Sequence, residues 1–334
     1  MGFMGRASAR GKWLASGCAI VALLLTACGT SQSAGGPTQV KLGYLSGGNS
    51  DPFIFTVSLG IRSAAKGAGV TLFECDANFD DATAKKCADT MKGIGVNAVI
   101  NWQFTGPLSP TICTAYGNVP TVAMDAHQPP CEKTFVGVDN AKAGEVAGTG
   151  LGTWAKSANG CKIDLYVSIE NRNLPDIFDA RGGGTRKGFE SICGAVSSDK
   201  YLLLNKVQGG SDRQSNIRRI FTDYLTTHPA AHTILVVAAG GDADGETASA
   251  AAKAAGREKD VFIVGHGADT SSCSQIRKNP QWVGSVAYFP EQYAGLAVPA
   301  AIALAKGQSV AKDIFVKNEF ITKANIDQFY PACF

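Results

Sequence analysis

Asn78, Trp102, Gln103 and Asp125 each stand just beyond a short apolar segment that has the composition of a β-strand. In open parallel sheets, ligands bind beyond the carboxyl ends of the strands. The positions of these four residues, and not only their types, therefore make them candidates for contact with a small molecule.

Two aromatic residues, Phe53 and Phe55, lie at the start of a predicted helix. Asp51 is suited to cap this helix, and proline is favoured at the first helical position, which Pro52 would occupy. Both rings lie off the apolar stripe that the helix would bury. They are placed to stack on a ligand, and the alternative is that they pack on a neighbouring loop.

Five further candidates lie in the second half of the chain. Asp179 and Arg181 fall in a predicted helix, Asp242 and His266 come after apolar strand segments, and Tyr288 ends another such segment. They extend the predicted ligand site to both halves of the sequence.

Patterns typical of metal, phosphate and catalytic sites are incomplete. The segment Asp242 to Gly245 begins like a calcium loop but lacks the later ligands, so a helix cap is the better interpretation. His228 and His232 have a metal-binding spacing, but Pro229 places them in a turn. Gly182 to Gly184 lacks the lysine of a phosphate loop. We therefore predict no metal site, no cofactor and no enzymatic activity.

Strand and helix patterns alternate along the chain, which predicts an α/β fold with parallel sheets. Four such units precede the segment FVGVDNAKAGEVAG, Phe135 to Gly148, and the alternation begins again after it. The segment reads as a strand end followed by a helix that Asp139 or Asn140 can cap. A strand that leaves one sheet and a helix that enters another would connect two lobes.

The helix that begins in this segment carries a stripe of mostly small residues. Ala141, Gly144, Gly148 and Leu151 recur at three- and four-residue spacing. Such a stripe lets a helix lie close to its packing partner.

The first 27 residues have the pattern of an export signal. Arg6, Arg10 and Lys12 precede an apolar run, Leu14 to Leu25, which is short for a membrane span. The run ends at Cys28 in the sequence LTAC, which resembles the lipobox of bacterial lipoproteins; the alternative is an ordinary signal peptide with an incidental cysteine. The resemblance implies cleavage before Cys28, a lipid anchor on that residue and a flexible tether over 28–39.

Removal of the leader leaves a formally neutral protein. The chain has 31 Lys and Arg and 28 Asp and Glu, and 31 less the three leader cations is 28. No basic run with interleaved aromatic residues remains, so a nucleic-acid partner is not expected.

Eight cysteines remain beyond the leader and Cys28, and in an exported protein this number suggests disulfides. Their connectivity is open, with 105 possibilities. Pairing between sequence neighbours is the simplest prediction, and it joins Cys75 to Cys87, Cys113 to Cys131, Cys161 to Cys193 and Cys273 to Cys333.

Eight sequence blocks, in order, resemble the type I, or sugar-binding, periplasmic binding proteins that serve ABC importers. They are GYLSGGNSDPF, VNAVINW, NVPTVAMD, FVGVDNAKAGEVAG, ARGGGTRKGF, HPAAHTILVVAAGGDA, VFIVGHG and VGSVAYFPEQYAGLAV. The resemblance implies two doubly wound lobes, a three-strand hinge and a cleft that closes on one small ligand. The implied organisation is a signal peptide over 1–27, a tether over 28–39, a first lobe over 40–139 and 289–316, and a second lobe over 140–288 and 317–334.

The same resemblance implies roles for individual residues. Phe53 matches the family's aromatic residue in the first helix, and Asp125 matches its acceptor of ligand hydroxyl groups. Arg181 matches an arginine whose planar fork can bond two hydroxyls. Gly241 stands where the family usually has an asparagine, and Gly267 or Ala268 stands where it usually has an aspartate. Asp242 and Asp269 are close enough to substitute.

The resemblance favours a lipid-anchored, extracytoplasmic and monomeric protein that binds a sugar or polyol and delivers it to an ABC permease. The alternative is a ligand sensor that presents its bound state to a membrane receptor or kinase. The sequence does not separate these two functions.

Overall fold

The computed structural model describes residues 39–170, 174–204, 212–268 and 272–332, and strands and helices alternate through these ranges as the sequence predicts. The strands are β1 (Lys41–Ser46), β2 (Thr71–Asp76), β3 (Ala98–Asn101), β4 (Thr121–Met124), β5 (Glu132–Gly137), β6 (Leu165–Ile169), β7 (Tyr201–Leu204), β8 (Ile234–Ala238), β9 (Val261–Gly267), β10 (Trp282–Ala287), β11 (Asp313–Phe315) and β12 (Glu319–Ile321). The α-helices are α1 (Pro52–Gly67), α2 (Asp81–Ile94), α3 (Ser109–Tyr116), α4 (Asn140–Asn159), α5 (Pro175–Cys193), α6 (Arg213–Thr227), α7 (Asp242–Ala254), α8 (Cys273–Lys278), α9 (Pro290–Ala305) and α10 (Ile326–Phe329).

The strands form two sheets, one for each lobe. The first has the order β11-β5-β4-β3-β1-β2, and the second has the order β12-β10-β9-β8-β6-β7. Neighbouring strands are parallel except for β12, which runs antiparallel to β10. The predicted α/β class, with two lobes built on parallel sheets, is confirmed.

The chain passes between the sheets at three places. These are the steps from β5 to α4, from β10 to α9 and from β11 to β12. Helix α9 packs on α1 and on strands β3 to β5 of the first sheet.

Helix α4 enters the second lobe and lies unusually close to α5. A Cβ atom on Gly148 would stand 1.9 Å from the carbonyl oxygen of Thr185, so only glycine fits there. Gly144 and Gly148 are both buried, which confirms the predicted close approach. Ala141 does not belong to the buried stripe, because its side chain is exposed, although its carbonyl oxygen lies 2.4 Å from the Cβ position of Gly184.

Helix α1 begins and packs as its sequence predicts. The carboxylate of Asp51 accepts hydrogen bonds from the backbone N–H groups of Phe53 (2.8 Å) and Ile54 (3.1 Å), which satisfies two donors of the first turn. Its buried residues are Ile54, Val57, Ser58, Ile61 and Ala65. This face packs on the core of the first lobe, and the start of the helix stands at the carboxyl end of β1.

Three disulfides connect cysteines that are neighbours in sequence. The structure joins Cys75 to Cys87, Cys113 to Cys131 and Cys161 to Cys193, as neighbour pairing predicts. Cys273 is also disulfide-bonded. Its predicted partner Cys333 lies outside the described residues, as do Cys28, Asp269, the leader and the tether. Within the described part of the chain, no helix is both long and apolar enough to cross a membrane.

Candidate functional site

Six of the residues predicted for the ligand site meet in one cluster between the two sheets, which we call the cleft cluster. They are Phe53, Trp102, Asp125, Arg181, His266 and Tyr288. The first three belong to elements of the first lobe, Arg181 and His266 belong to the second, and Tyr288 lies in the connection from β10 to α9. The cluster therefore brings together residues from both lobes.

Aromatic rings form the apolar part of the cluster. The ring of Phe53 stands edge-on to Trp102, Tyr288 and Tyr293, with centroid distances of 6.2, 6.3 and 5.6 Å. Trp102 and Tyr293 stack at 6.1 Å with their planes 14° apart. These are the favourable geometries of interacting aromatic rings, and they present ring faces and edges to the cleft.

Asp125 is the carboxylate of the cluster. It follows β4, adopts a left-handed backbone conformation with φ 57° and is 7% exposed. Burial raises its pKa, while Arg181, the Tyr293 hydroxyl and the backbone of Val138 act in the opposite direction. The hydroxyl of Tyr293 donates to Oδ1 of Asp125 at 2.8 Å. This bond orients the carboxylate from within the first lobe.

Arg181 is the cation of the cluster, and its own lobe and the hinge hold it in place. Its Nε donates to Oδ1 of Asn140 at 2.7 Å, and its guanidinium carbon lies 4.7 Å from the centroid of the Tyr288 ring and 5.6 Å from that of Phe178. Among the described residues, neither Nη nitrogen has an acceptor within hydrogen-bonding distance. The fork is thus oriented by stacking and by one hydrogen bond, and its outer donors remain for a ligand.

A chain of hydrogen bonds sets the protonation of His266. The hydroxyl of Thr185 donates to the carbonyl oxygen of Arg181 (2.7 Å), so it accepts from Nε2 of His266 (3.1 Å). Nδ1 of a neutral His266 then accepts from the Tyr288 hydroxyl at 2.7 Å. Burial and the charge of Arg181 hold the pKa of His266 well below its usual value, in agreement with a neutral ring. The phenol oxygen of Tyr288 is left as an acceptor.

One buried donor of the cluster has no protein partner. Trp102 is 1% exposed, and its indole Nε1 has no hydrogen-bond partner among the described residues. Buried polar groups in folded proteins nearly always have a partner. The indole N–H is therefore available to a bound molecule.

Four other predicted site residues are arranged differently. The amide nitrogen of Gln103 donates to Ser109 and to Gln128, so this end of the side chain is engaged beside α3. Among the described residues, Phe55, Asn78 and Asp179 make no hydrogen bond or ring contact with the cleft cluster, and all three are exposed. Their contact with a ligand stays a prediction.

Asp242 is buried and bonded within its own lobe. Its Oδ2 accepts from the backbone N–H of Ala268 at 2.7 Å, and its Oδ1 accepts from the hydroxyl of Ser285 at 2.8 Å. These bonds fix the turn that follows β9, where Ala268 has φ 46°. A role of Asp242 in ligand binding stays a prediction.

Two buried residues that neighbour predicted site residues were not themselves predicted. Tyr293, in the first turn of α9, is fully buried and contacts Asp125, Trp102 and Phe53. Glu170 follows β6, is 4% exposed and accepts from the hydroxyl of Ser168 at 2.6 Å. Glu170 lies beyond the carboxyl end of a parallel strand, where ligands bind. The apolar pattern of this strand breaks at Ser168, so the sequence indicates an end at Val167 rather than at the observed Ile169.

Burial raises the pKa of Glu170, and the nearby carboxyl group of Asp179 raises it further. A Cβ atom on Gly182 would stand 1.9 Å from Oε1 of Glu170, so the glycine at this position makes room for the carboxyl group.

The two lobes, the three connections between them and the buried residues where they meet define a two-lobed binding protein of type I architecture. Comparison with known families agrees: the periplasmic binding protein domain matches residues 42–309. The chain belongs to this family.

Several known proteins resemble the whole chain. The ribose import binding protein RbsB of Bacillus subtilis is 26% identical over 302 residues, which cover 87% of this chain and 92% of that protein. A carbohydrate transporter solute-binding protein from Agrobacterium radiobacter, solved in complex with D-arabinose, has a TM-score of 0.75 at 18% identity, covering 89% of this chain and 99% of that one. An ABC transporter solute-binding protein from Bacillus halodurans, solved with bound myo-inositol, has a TM-score of 0.73 at 16% identity with the same coverage. At these identities the solved structures establish the likeness of fold.

Proposed function

We propose that this protein captures a monosaccharide or a polyol between its lobes and delivers it to the permease of an ABC importer. The observation that carries the proposal is the cleft cluster, in which aromatic rings surround a buried carboxylate and a buried guanidinium contributed by opposite lobes. A molecule with C–H faces and a rim of hydroxyl groups matches both features, because the faces stack on rings and the hydroxyls bond the charged groups.

The hydrogen-bonding groups of the cluster match a hydroxylated ligand. The indole N–H of Trp102 and the Nη groups of Arg181 can donate to it. The carboxylate of Asp125 and the phenol oxygen of Tyr288 can accept from it. Since a hydroxyl group both donates and accepts, neighbouring hydroxyls of one sugar can satisfy all four residues.

The relatives support this ligand class. Similar proteins include a ribose import binding protein and solute-binding proteins solved with bound D-arabinose and with bound myo-inositol. These ligands are two pentoses and a cyclic polyol. The finding that the chain belongs to a family of binding proteins also argues against catalysis.

Delivery of the ligand to a permease depends on closure of the two lobes about the connections between them. A ligand that contacts residues of both lobes stabilises the closed arrangement by the contacts that exist only there. A permease that recognises closure then receives loaded protein in preference to empty protein.

The anchor belongs to the same proposal. We infer that Cys28 carries a lipid that holds a monomeric protein at the outer face of the membrane, with residues 28–39 as the tether. Two acyl chains hold a protein on a bilayer far more firmly than one chain does. An anchored binding protein stays within reach of its permease.

A thermal-shift screen of the mature protein, followed by calorimetry, tests the ligand class. The panel contains D-ribose, D-arabinose, D-xylose, D-glucose and myo-inositol, with amino acids and dipeptides as the competing class. We expect at least one sugar or polyol to raise the melting temperature and to bind with a measurable enthalpy. Stabilisation only by amino acids or peptides would contradict the proposal.

A further inference from the structure

The loop that follows β2 holds an aromatic residue in a backbone conformation that aromatic residues rarely adopt. Asn78 and Phe79 have φ values of 48° and 57°. The left-handed region suits glycine and asparagine, whereas a bulky residue there is an outlier. The backbone N–H of Phe79 donates to the carbonyl oxygen of Gly47 at 2.7 Å, and that of Asn78 donates to Asp76 at 3.0 Å. The surrounding loop therefore imposes the conformation.

The strained backbone places the ring of Phe79 at the surface. The residue is 54% exposed, and its ring stacks on Phe104 at 6.0 Å with the planes 23° apart. Gly48 lies beneath the ring edge, because a Cβ atom built there would stand 2.3 Å from a ring carbon. One side of the phenyl group is thus supported by protein, while about half of the residue remains open to solvent.

Phe79 is the outer end of a line of aromatic rings that leads into the cleft cluster. Phe104 lies 5.9 Å from Trp102, and Trp102 stacks on Tyr293 at 6.1 Å. The loops that carry Phe79, Phe104 and Trp102 all follow the carboxyl ends of strands in the first sheet. This is the edge at which ligands of parallel sheets bind.

A purely structural role does not account for this arrangement. Asparagine or glycine would hold the left-handed position with less strain, and a half-exposed ring buries little of its apolar surface. Strain that the surrounding structure maintains at the rim of a binding site is a sign of function.

We propose that Phe79, supported by Phe104, forms a second, outer sugar subsite, so that a glycoside of the sugar that the cleft cluster holds binds more tightly than that sugar alone. The inference rests on the proposed function. The inner sugar lies at the cleft cluster, and the outer sugar stacks on Phe79, which is two ring-to-ring steps of about 6 Å from Trp102. The outer sugar is therefore the second or the third unit of the glycoside, and the exposed face of Phe79 binds its C–H face.

Calorimetry on the mature protein tests this with matched probes: D-glucose with maltose and maltotriose, and D-xylose with xylobiose and xylotriose. We expect a disaccharide or a trisaccharide to bind with a Kd at least about threefold below that of its monosaccharide, the effect of one aromatic contact. In Phe79→Asn, the longer glycoside should bind no more tightly than its monosaccharide, and the monosaccharide Kd should match that of wild type. Phe79→Tyr should keep the difference between the two ligands. Phe315→Ala, at an equally exposed ring on β11, is the control and should change neither value.

The melting temperature distinguishes a binding role from a structural one. Because asparagine tolerates the left-handed conformation, Phe79→Asn should not lower it. Monosaccharide binding without any gain for a disaccharide or a trisaccharide would overturn the outer subsite and leave the proposed function standing. Failure of every sugar to bind would overturn both.

Discussion

The two charged side chains of the cleft cluster are stabilised in different ways. Asp125 is held by a hydroxyl donor, Tyr293, and by the positive charge of Arg181. Arg181 is held by Asn140 and by aromatic stacking, with its outer donors unpaired among the described residues. A buried charge whose partner is removed is costly. Ligand binding should therefore need both Asp125 and Arg181, because removal of either leaves the other buried charge without its partner.

Arg181→Ala should weaken binding of the best sugar or polyol by about 2–4 kcal/mol, or roughly 30- to 1000-fold in Kd. The substitution removes two hydrogen-bond donors and leaves Asp125 without its positive neighbour. Calorimetry on wild type and variant measures the change. Arg181→Lys keeps the charge but loses the planar fork, so its Kd should lie between those of wild type and Arg181→Ala. An unchanged Kd in Arg181→Ala would remove this residue from the site.

His266 should make stability depend on pH. Its folded pKa lies below the unfolded value of about 6.5, so on acidification the unfolded state takes up the proton first. The free energy of unfolding then falls below about pH 6.5, by up to about 1.4 kcal/mol per pH unit, until the folded protein is protonated as well. Denaturation of wild type and His266→Gln between pH 5 and 7.5 measures the effect.

Carboxyl groups such as Asp125 and Glu170 titrate in both proteins. The difference in the free energy of unfolding between wild type and His266→Gln therefore reports the titration of His266. A difference that stays constant over this range would contradict a neutral His266. Nitrogen-15 chemical shifts of the ring, read at pH 7, should show a proton on Nε2 and none on Nδ1, as the bonds to Thr185 and Tyr288 require.

At the scale of elements, the contact between α4 and α5 joins the hinge to the binding site. Helix α4 starts immediately after the first connection between the lobes, and α5 carries Arg181 and Thr185. The contact depends on glycines on both helices, because each backbone occupies the space of a side chain on the other. Gly144 lies against the carbonyl oxygen of Arg181, so this close packing fixes the backbone that carries the Arg181 side chain.

Gly148→Ala should destabilise the protein by about 1–3 kcal/mol, because the new methyl group would meet the backbone oxygen of Thr185 and force the helices apart. Gly183→Ala is the matched control on α5, since nothing lies within 4 Å of its Cβ position. It should stabilise the helix by about 0.5–1 kcal/mol. Chemical denaturation compares the two, and equal effects would contradict the packing argument.

At the scale of the whole molecule, each described disulfide joins residues of a single lobe. Two described bonds lie in the first lobe, and the third, Cys161–Cys193, joins the ends of α4 and α5 in the second. Because each bond lies within one lobe, it leaves the connections between the lobes unconstrained.

Replacing Cys161 and Cys193 by serine should lower the free energy of unfolding by about 3–4 kcal/mol, since the bond closes a loop across a sequence separation of 32 residues. Equilibrium denaturation of the oxidised proteins measures the loss. The sugar Kd should stay the same, because the bond lies at the far end of α5 from Arg181, about 18 Å along the helix axis. A stability equal to that of wild type would contradict this account.

Anchoring is tested in cells by Cys28→Ala. If Cys28 is the lipidated residue, the substitution should abolish metabolic labelling with a radioactive or clickable fatty acid and leave the protein uncleaved or released. A conservative control, Cys18→Ala, lies within the leader and should not change labelling. Normal labelling of Cys28→Ala would contradict the lipid anchor.

Patterns that arise from local chemistry could be predicted from the sequence. The apolar strands, the Asp51 cap, the glycine stripe of α4 and the pairing of neighbouring cysteines each depend on residues close together along the chain. Strand ends also indicated Trp102 and Asp125, because parallel topology places such positions at one edge of the sheet.

Tertiary structure alone decided which of these side chains meet. Tyr293 bonds Asp125 across 168 positions of sequence, and the short strands β11 and β12 exist only through pairing with β5 and β10. The side-chain amide of Gln103 donates hydrogen bonds beside α3 because folding places the acceptors of Ser109 and Gln128 next to it. Each of these outcomes depends on distances between segments that folding brings together, and local residue spacing carries no measure of those distances.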